Sequence, residues 1–393
     1  MHILHILPSV ALETGGTMKA VMQLCREQSR NGHGVVLYTT HWPRETGAAS
    51  SIPPPFSTGD FMIKAFPIKR DRLMSNLPHS PELIQSLRSV ARKFDLVITH
   101  SLWNPLATFS MRALRENRTP YSLMPHGMLD PVVFRRNRWK KLPWAFLWER
   151  SNVEKAAIVL FNTAAEEKKA KRCGWRLPQT FVLPHLIDLA EWKNLPPRST
   201  FERLFPQTKE SEIILFVGRI NWVKNLDKLI EALALVRQKR PSAMLVCVGP
   251  DNDGYKEELV ERIRSLGLSP SVLFTGMLEG QPLKAAYARS NVLALVSQKE
   301  NFGISVAEGL ACGRPVVVSE GVDMANDWPS EGPIRRVHPK PDEIARALIE
   351  LLERSTRRGL PDLEARALAE RKFQGSPLSE FLDRWQSLKT QRV

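Results

Sequence analysis

Long apolar runs are missing from this chain. No stretch approaches the roughly 20 residues that a bilayer crossing requires, so no membrane span is expected. Cysteine is scarce. Cys25, Cys173, Cys247 and Cys312 lie far apart without metal-type spacing, which argues against a disulfide framework and reads as reduced, buried cytosolic residues. There is no His-Glu-x-x-His, no Cys-x-x-Cys pair and no nucleophile elbow, so the hydrolase classes that use them find no support. The start, Met1-His-Ile-Leu-His-Ile-Leu, lacks a basic flank and its apolar run ends at Pro8; it reads as a first buried strand and not as a signal peptide. Acidic residues are also in deficit, 41 against 56 Lys and Arg, for a net charge of +15. That excess suits nucleic acid, an anionic membrane or phosphorylated substrates. Five basic residues, Arg135, Arg136, Arg138, Lys140 and Lys141, are interleaved with Trp139, Trp144 and Trp148. No nucleic-acid-binding module surrounds them, so no nucleic acid is expected. The segment 134–149 suits a membrane interface, an acceptor-binding element or an amphipathic helix with a charged outer face.

What is present is alternation. In a chain of 393 residues, 43% hydrophobic and 25% charged, short apolar strands alternate with helix-length periodic segments, the pattern of doubly wound parallel sheets. The first half places strands near 2–7, 35–39, 96–99, 122–124, 158–161 and 181–183, with helices at 17–30 and 105–116. The second half places strands near 213–217, 244–248, 272–275, 292–296 and 316–318, with helices at 225–239, 255–266 and 281–289. Lys193-Asn-Leu-Pro-Pro-Arg-Ser-Thr200 is the natural linker. The organisation expected is therefore α/β, with domains at 1–192 and 193–361 and a polar helical segment at 362–393.

The most informative stretch runs from Glu300-Asn-Phe-Gly-Ile-Ser-Val-Ala-Glu308 through Gly-Leu-Ala-Cys-Gly-Arg-Pro-Val-Val-Val-Ser319. It reads as loop, helix, Gly313 as cap, then a buried strand. The two glutamates, eight residues apart, flank a helix N-terminus. Backbone N–H groups of Phe302, Gly303 and Ile304, beside Asn301, suit an anionic group, which the helix dipole also favours. Carboxylates accept strong hydrogen bonds from hydroxyls, so Glu308 is a ribose candidate and Glu300 a sugar-hydroxyl candidate. Further on the amino-terminal side, the predicted strand 213–217 ends in Gly218-Arg219, with Lys224 close behind, where open α/β sheets bind ligands. Arg offers phosphate a bidentate fork and Lys a mobile charge.

The paired glutamates with their Phe-Gly and Ala-x-Gly-x-Pro-Val-Val tail closely resemble the signature of the retaining glycosyltransferases of family 4, which have the GT-B fold. That resemblance covers nearly the whole chain in order: Gly15-Gly16 after the first strand, His126-Gly127, Arg219 with Lys224, then Glu300 and Glu308. It implies two Rossmann-like domains facing across a cleft, the first holding acceptor and the second a nucleotide sugar, with a terminal helix crossing back to the first. It further implies catalytic roles for His126, Arg219, Lys224 and Glu300. Gly15, Gly16, Asn301, Phe302, Gly303, Ile304 and Glu308 become donor-binding residues, and Asp130, Arg135, Lys140 and Lys141 acceptor-binding ones. No cofactor and no metal are expected, the nucleotide sugar being substrate. The segments around Ser101-Leu-Trp-Asn-Pro105 and Asp130 look like family members that build bacterial surface polysaccharides, which implies a lipid-linked saccharide acceptor and a cytoplasmic, membrane-peripheral location. Asn162-Thr163-Ala-Ala-Glu166 resembles a family segment and reads as a helix cap with an acidic first turn. Pro184-His-Leu-Ile-Asp188 and Glu320–Trp328 depart from the family pattern, so the selectivity for base and sugar does not carry over. Gly249–Lys256 imitates a phosphate loop without its Ser/Thr, and Asp251-Asn-Asp253 imitates a metal motif; the structural reading of both is favoured. Other enzymes of the same fold, a nucleotide-sugar epimerase or a sugar phosphorylase, and a non-catalytic binding scaffold are the alternatives.

Overall fold

A computed structural model describes residues 1–10, 16–41, 56–57, 59–70, 78–135, 138–251, 254–326, 328, 330–358, 361–375 and 377–391. The chain forms two compact units, Met1–Leu186 with Ser376–Val393, and Ile187–Gly375. The first unit carries strands β1 (His2–Ser9), β2 (Gly34–His41), β3 (Phe56–Ser57), β4 (Met62–Pro67), β5 (Lys69–Arg70), β6 (Pro78–His79), β7 (Leu96–His100), β8 (Ser122–Met124), β9 (Ile158–Phe161) and β10 (Gln179–Val182). The second carries β11 (Glu212–Val217), β12 (Ala243–Val248), β13 (Val272–Gly276), β14 (Val292–Leu295), β15 (Val316–Ser319) and β16 (Ile334–Val337). The two main sheets run β10-β9-β8-β7-β1-β2-β4-β3 and β13-β12-β11-β14-β15-β16; β5 and β6 pair separately. All pairs in the second sheet are parallel, and in the first only β3 is antiparallel.

The strands are near-continuous apolar runs because a parallel sheet is covered on both faces. Ile214, Leu215 and Phe216 of β11 are fully buried, as are Leu293 and Ala294 of β14 and Val316–Val318 of β15. Five strands go beyond the sequence expectation, namely β3 to β6 and β16. Their polar residues hide the period. Lys64 of β4 lies over the rings of Tyr38 and Phe66, and Arg335 of β16 pairs with Glu350 at 2.7 Å.

Sheet order fixes where ligands can sit. In the second unit the chain passes from β11 to β12 to β13 on one side, then returns to β14, β15 and β16 on the other. The carboxyl ends of β11 and β14 therefore border the switch point, where open α/β sheets form a crevice. Residues after β11 are Gly218, Arg219 and onward; those after β14 lead to Glu300. In the first unit β1 sits between β7 and β2, which makes the ends of β1 and β7 the equivalent place.

The boundary falls at Leu186/Ile187 instead of 192/193, and the returning segment is shorter than 362–393. Helix Leu363–Phe373 stays with the second unit, whose core holds its Ala365, Leu368 and Ala369. Helix Leu378–Gln391 belongs to the first, where Leu378, Phe381, Leu382 and Trp385 join the core with Ile3, Leu96 and Phe181. Trp385 Nε1 also donates to the Asp95 carbonyl at 2.9 Å, and Lys389 reaches the same carbonyl and the Asp95 carboxylate, each at 3.5 Å.

Candidate functional site

The second unit builds its site from two loops at the switch point. After β11, Asn221 caps a 3₁₀ turn at Trp222–Lys224, accepting from the Val223 N–H at 2.8 Å. Asn225 then takes a left-handed φ of 52°, and its side-chain amide donates to the Val296 carbonyl at 2.9 Å, tying the turn to the end of β14. This sets the direction of Lys224, whose ammonium pairs with a carboxylate oxygen of Glu300. Both side chains are largely buried, 16% and 22% exposed, so the pair is screened less than a surface one. Glu300 is itself held by its backbone: its N–H donates to Gly321 and its carbonyl accepts from Asp323, both at 2.8 Å. Gly321 has no room for a side chain, since a Cβ would lie 2.3 Å from the Ser297 carbonyl oxygen.

Helix Ile304–Ala311 begins four residues on. Its cap is Gly303 at φ 76°, and no side chain caps it, which leaves the positive end of the dipole for something else. Glu308 lies in this helix, 6% exposed, and accepts a hydrogen bond from the Tyr287 hydroxyl at 2.6 Å. Burial, and secondarily the Glu308 charge, hold the Tyr287 hydroxyl well above its ordinary pKa, so it stays a donor. Trp192 packs edge-on against Tyr287 with ring centroids 5.3 Å apart. Arg219 is exposed, and no ion pair among the described residues restrains it. Two cations, an uncapped helix start and two carboxylates thus all follow β11 or β14 at the carboxyl edge of the sheet. Such a set can neutralise a diphosphate and accept hydrogen bonds from hydroxyls.

The first unit presents His126 directly after β8. His126 and Gly127 both take positive φ, 51° and 79°. Glu166 clamps this turn. One carboxylate oxygen accepts from the Gly127 N–H, while the other accepts from Asn162, backbone at 2.7 Å and side chain at 3.2 Å. Glu166 stands in helix Ala164–Ala170, capped by Thr163, whose hydroxyl accepts from the Glu166 N–H at 3.0 Å. His126 Nε2 meets His100 Nδ1 at 3.0 Å, and its ring stands edge-on to His185 at 5.7 Å. Burial holds His126 well below its ordinary pKa, helped by the charge of His185, so His126 is neutral near pH 7.

Comparison with known proteins matches the second half of the chain, residues 199–366, to Glycosyl transferases group 1, and the first half, residues 14–191, to Glycosyltransferase Family 4. A D-inositol 3-phosphate glycosyltransferase of Kineococcus radiotolerans is 31% identical over 324 residues, 78% of this chain and 73% of that one. The chain belongs to glycosyltransferase family 4. Mannosylfructose-phosphate synthase of Agrobacterium fabrum is 25% identical, covering 79% of this chain and 72% of its own. Other relatives match over less: the chain spans a quarter of a Salinispora arenicola D-inositol 3-phosphate glycosyltransferase, at 37% identity over 114 residues. Among solved structures, Anabaena HepE in complex with UDP and glucose superposes with a TM-score of 0.74 at 20% identity, covering 99% of this chain and all of that one. Sucrose-phosphate synthase of Thermosynechococcus elongatus gives 0.73 at 19% identity, over 100% and 97%. Both share the GT-B fold with this family 4 chain.

The transferase chain places the expected residues unevenly. Arg219, Lys224, Glu300, Asn301, Phe302, Gly303, Ile304 and Glu308 all fall on the two strand-end loops and the helix of the second unit. Gly16 begins helix Gly16–Arg30 after β1, while Gly15 lies outside the described residues. Asp130 is buried and already engaged: it accepts from the Val132 N–H at 2.8 Å, capping helix Pro131–Arg135, and lies 3.7 Å from Lys169. Lys141 turns back to the Val133 carbonyl and over the Trp103 ring at 5.6 Å. Arg135 and Lys140 lie in helices Pro131–Arg135 and Arg138–Trp144. The imitation phosphate loop is structural at Asp251, whose carboxylate accepts from the N–H groups of Tyr255 and Lys256 at 3.1 and 3.2 Å; Asn252 and Asp253 lie outside the described residues. Among the described residues no group of His, Cys, Asp and Glu has the geometry of a metal site. Sequence reasoning missed Tyr287, and it missed the reach of Glu166 to Gly127. Neither a lone Tyr in a helix nor a first-turn Glu carries a signal of its distant partner.

Proposed function

We propose that this chain transfers a sugar from a nucleotide diphosphate donor to a hydroxyl of a saccharide acceptor, with retention at the anomeric carbon and without a metal. The observation that carries the reading is the crevice of the second unit, where Arg219, Lys224 and the uncapped start of helix Ile304–Ala311 gather positive charge beside Glu300 and Glu308. The Glu308 carboxylate accepts from ribose hydroxyls and Tyr287 holds it in place. The diphosphate draws the Lys224 ammonium, releasing Glu300 to accept from hydroxyls of the sugar. The anomeric carbon–oxygen bond to phosphate breaks, the acceptor oxygen forms the new bond on the same face, and its proton passes to the departing diphosphate. Catalysis then rests on stabilising leaving-group charge, and each such group contributes about 3 kcal/mol, roughly a hundredfold in rate. His126 serves the transferred sugar.

The acceptor we assign is a lipid-linked saccharide of bacterial surface-polysaccharide synthesis, met at the cytoplasmic membrane face. Support comes from segment 131–154 of the first unit. It leaves Trp139 74% and Phe146 82% exposed, with Leu142 and Leu147 also open, among basic residues. No helix among the described residues is long and apolar enough to cross a membrane, so contact would be peripheral.

The test is the melting temperature of wild type and Glu308→Gln against UDP, GDP and ADP, with and without EDTA. At a hundred times Kd, linkage adds about 2.7 kcal/mol, or about 5–11 °C for a unit of this size. One nucleotide stabilising the wild type, less so the variant, and indifferently to EDTA is the expected result. Silence from all three at millimolar concentration sinks the donor site and brings the scaffold reading forward.

A further inference from the structure

Three histidines and one glutamine form a continuous row in the first unit, fully buried at Gln28, His5 and His100 and partly exposed at His126. Gln28, fully buried in helix Gly16–Arg30, places its carbonyl oxygen 2.6 Å from His5 Nε2 in β1. His5 Nδ1 lies 3.0 Å from His100 Nε2 at the end of β7, and His100 Nδ1 lies 3.0 Å from His126 Nε2 after β8. The rings stack at centroid separations of 5.3 Å in both pairs, tilted by 10° and 26°. The row ends at His126 Nδ1, which is buried and has no partner among the described residues.

Such a row transmits proton position. A neutral imidazole has one N–H and one lone pair, and each contact needs one of each. Burial keeps the row uncharged: His5 is pushed down to about 4, and His100 falls well below its ordinary value. A carbonyl oxygen only accepts, so His5 carries its proton on Nε2 and leaves Nδ1 bare. His100 must then donate from Nε2, and His126 must do the same. The proton on each ring follows from the atom Gln28 presents, over the width of three strands.

We propose that Gln28, acting through His5 and His100, sets the tautomer of His126, so that His126 Nδ1 stands as an uncharged hydrogen-bond acceptor for a substrate hydroxyl. Gln28, His5 and His100 are positioning residues. The hydroxyl ligand rests on the reading of His126 given above; the tautomer does not. Turning the Gln28 amide reverses all three bonds and makes Nδ1 a donor, suited to a carbonyl or phosphate oxygen instead. The row is thus a device with two settings, of which the carboxamide orientation selects one.

The test is long-range ¹H–¹⁵N spectra of the full chain, deuterated and labelled at histidine, near pH 7. The expected result is the neutral Nε2–H form for His5, His100 and His126. Gln28→Glu, whose ionised carboxylate only accepts, keeps all three, whereas Gln28→Leu shifts His126 toward a mixture of tautomers although two rings, His5 and His100, lie between it and position 28. An Nδ1–H form of His126 in the wild type overturns the proposal, as does a His126 signal unmoved in a folded Gln28→Leu protein. If that variant does not fold, the wild-type and Gln28→Glu spectra decide alone. Turnover judges the other reading separately: Gln28→Leu is expected to lose about tenfold to a hundredfold in kcat with donor KM held, and Gln28→Glu to retain it. Spectra as expected with turnover unmoved support the row and remove His126 from the chemistry.

Discussion

Lys224→Met tests the donor site most directly, because it deletes one charge and keeps the side chain's length. The structure bounds the collateral damage. Glu300 loses its partner, but its backbone bonds to Gly321 and Asp323 remain, and at 22% exposure its carboxylate can rehydrate. The stability loss should therefore fall between the ~1 kcal/mol of an exposed pair and the ~3–5 kcal/mol of a fully buried one. Binding is another matter. A hydrogen bond from a charged group contributes about 1.5–3 kcal/mol, so affinity for a nucleoside diphosphate should fall about tenfold to a hundredfold. The corresponding monophosphate should be nearly unaffected if Lys224 meets the outer phosphate. Titration calorimetry of both ligands, with the base that thermal shift selects, reads the difference. Glu300→Gln provides the counter-test. It frees Lys224 from its competitor, so diphosphate affinity should hold or rise while turnover of the sugar nucleotide collapses. Equal weakening of mono- and diphosphate by Lys224→Met, or of neither, refutes the assignment of Lys224 to the leaving group.

Other outcomes follow from the same structure. Tyr287→Phe removes a hydrogen bond to the buried Glu308 carboxylate; a bond to a charged group contributes about 1.5–3 kcal/mol, and calorimetry should show the second unit melting roughly 3–12 °C lower. The buried histidines make the first unit acid-sensitive. His5 is lowered to about 4 and His185 to about 3, so between pH 6.5 and those values the unfolded chain binds the extra protons. Stability should therefore fall on acidification through that window, by about 1.4 kcal/mol per pH unit for each such histidine, with an opposite trend from Glu149, which burial raises. A flat melting temperature from pH 7 to 4.5 contradicts this. Trp139→Glu with Phe146→Glu should cut co-sedimentation with phosphatidylglycerol vesicles at least tenfold and leave the melting temperature unchanged, since both rings are exposed. Vesicle binding equal to wild type removes the membrane from the acceptor reading.

Much of the fold was legible because a parallel sheet buried on both faces writes itself as uninterrupted Val, Ile and Leu. β8 and β9 fall where the apolar runs put them, and helix Pro105–Glu116 starts at the Asn104 cap that precedes Pro105. The β3–β6 region was not legible, since Lys64 and the prolines at 67 and 78 break the pattern that an apolar core would leave. The site divides the same way. Residues contiguous in sequence, such as 300–308, carry their geometry with them: a loop, a Gly at positive φ and a helix start follow from neighbours alone. Partners across the fold leave no local trace. Tyr287 reaches Glu308 from another helix, and Gln28 reaches His5 from a helix packed on the sheet. Asp130 shows how one residue type serves two readings, because an acidic residue beside a Pro-initiated helix is as good a cap as it is a ligand, and its carboxylate here accepts from the Val132 N–H.

Backbone strain points to the same loops without any appeal to relatives. Among the described residues, five other than glycine have positive φ: Ser101, Trp103, Arg118, His126 and Asn225. Each such conformation costs on the order of 1–3 kcal/mol and persists only where the surroundings enforce it. Arg118 sits in the turn after helix Pro105–Glu116, an ordinary place for it. The other four stand just beyond the carboxyl ends of β7, β8 and β11, the edge at which open α/β sheets bind ligands. Each is held by identifiable bonds. The Ser101 N–H donates to the Met124 carbonyl, the Trp103 N–H to the buried Glu149, and the Asn225 side chain to Val296; His126 is fixed through its ring to His100 and through Gly127 to Glu166. At Asn225 and Trp103 the side chain also serves the fold, donating to the Val296 and Met128 carbonyls, both at 2.9 Å. Where the fold instead invests a buried glutamate or a histidine row to hold the strained residue, the direction of that one side chain is what the strain secures. For His126 that direction is set by the ring bond to His100 and by the Glu166 clamp on Gly127.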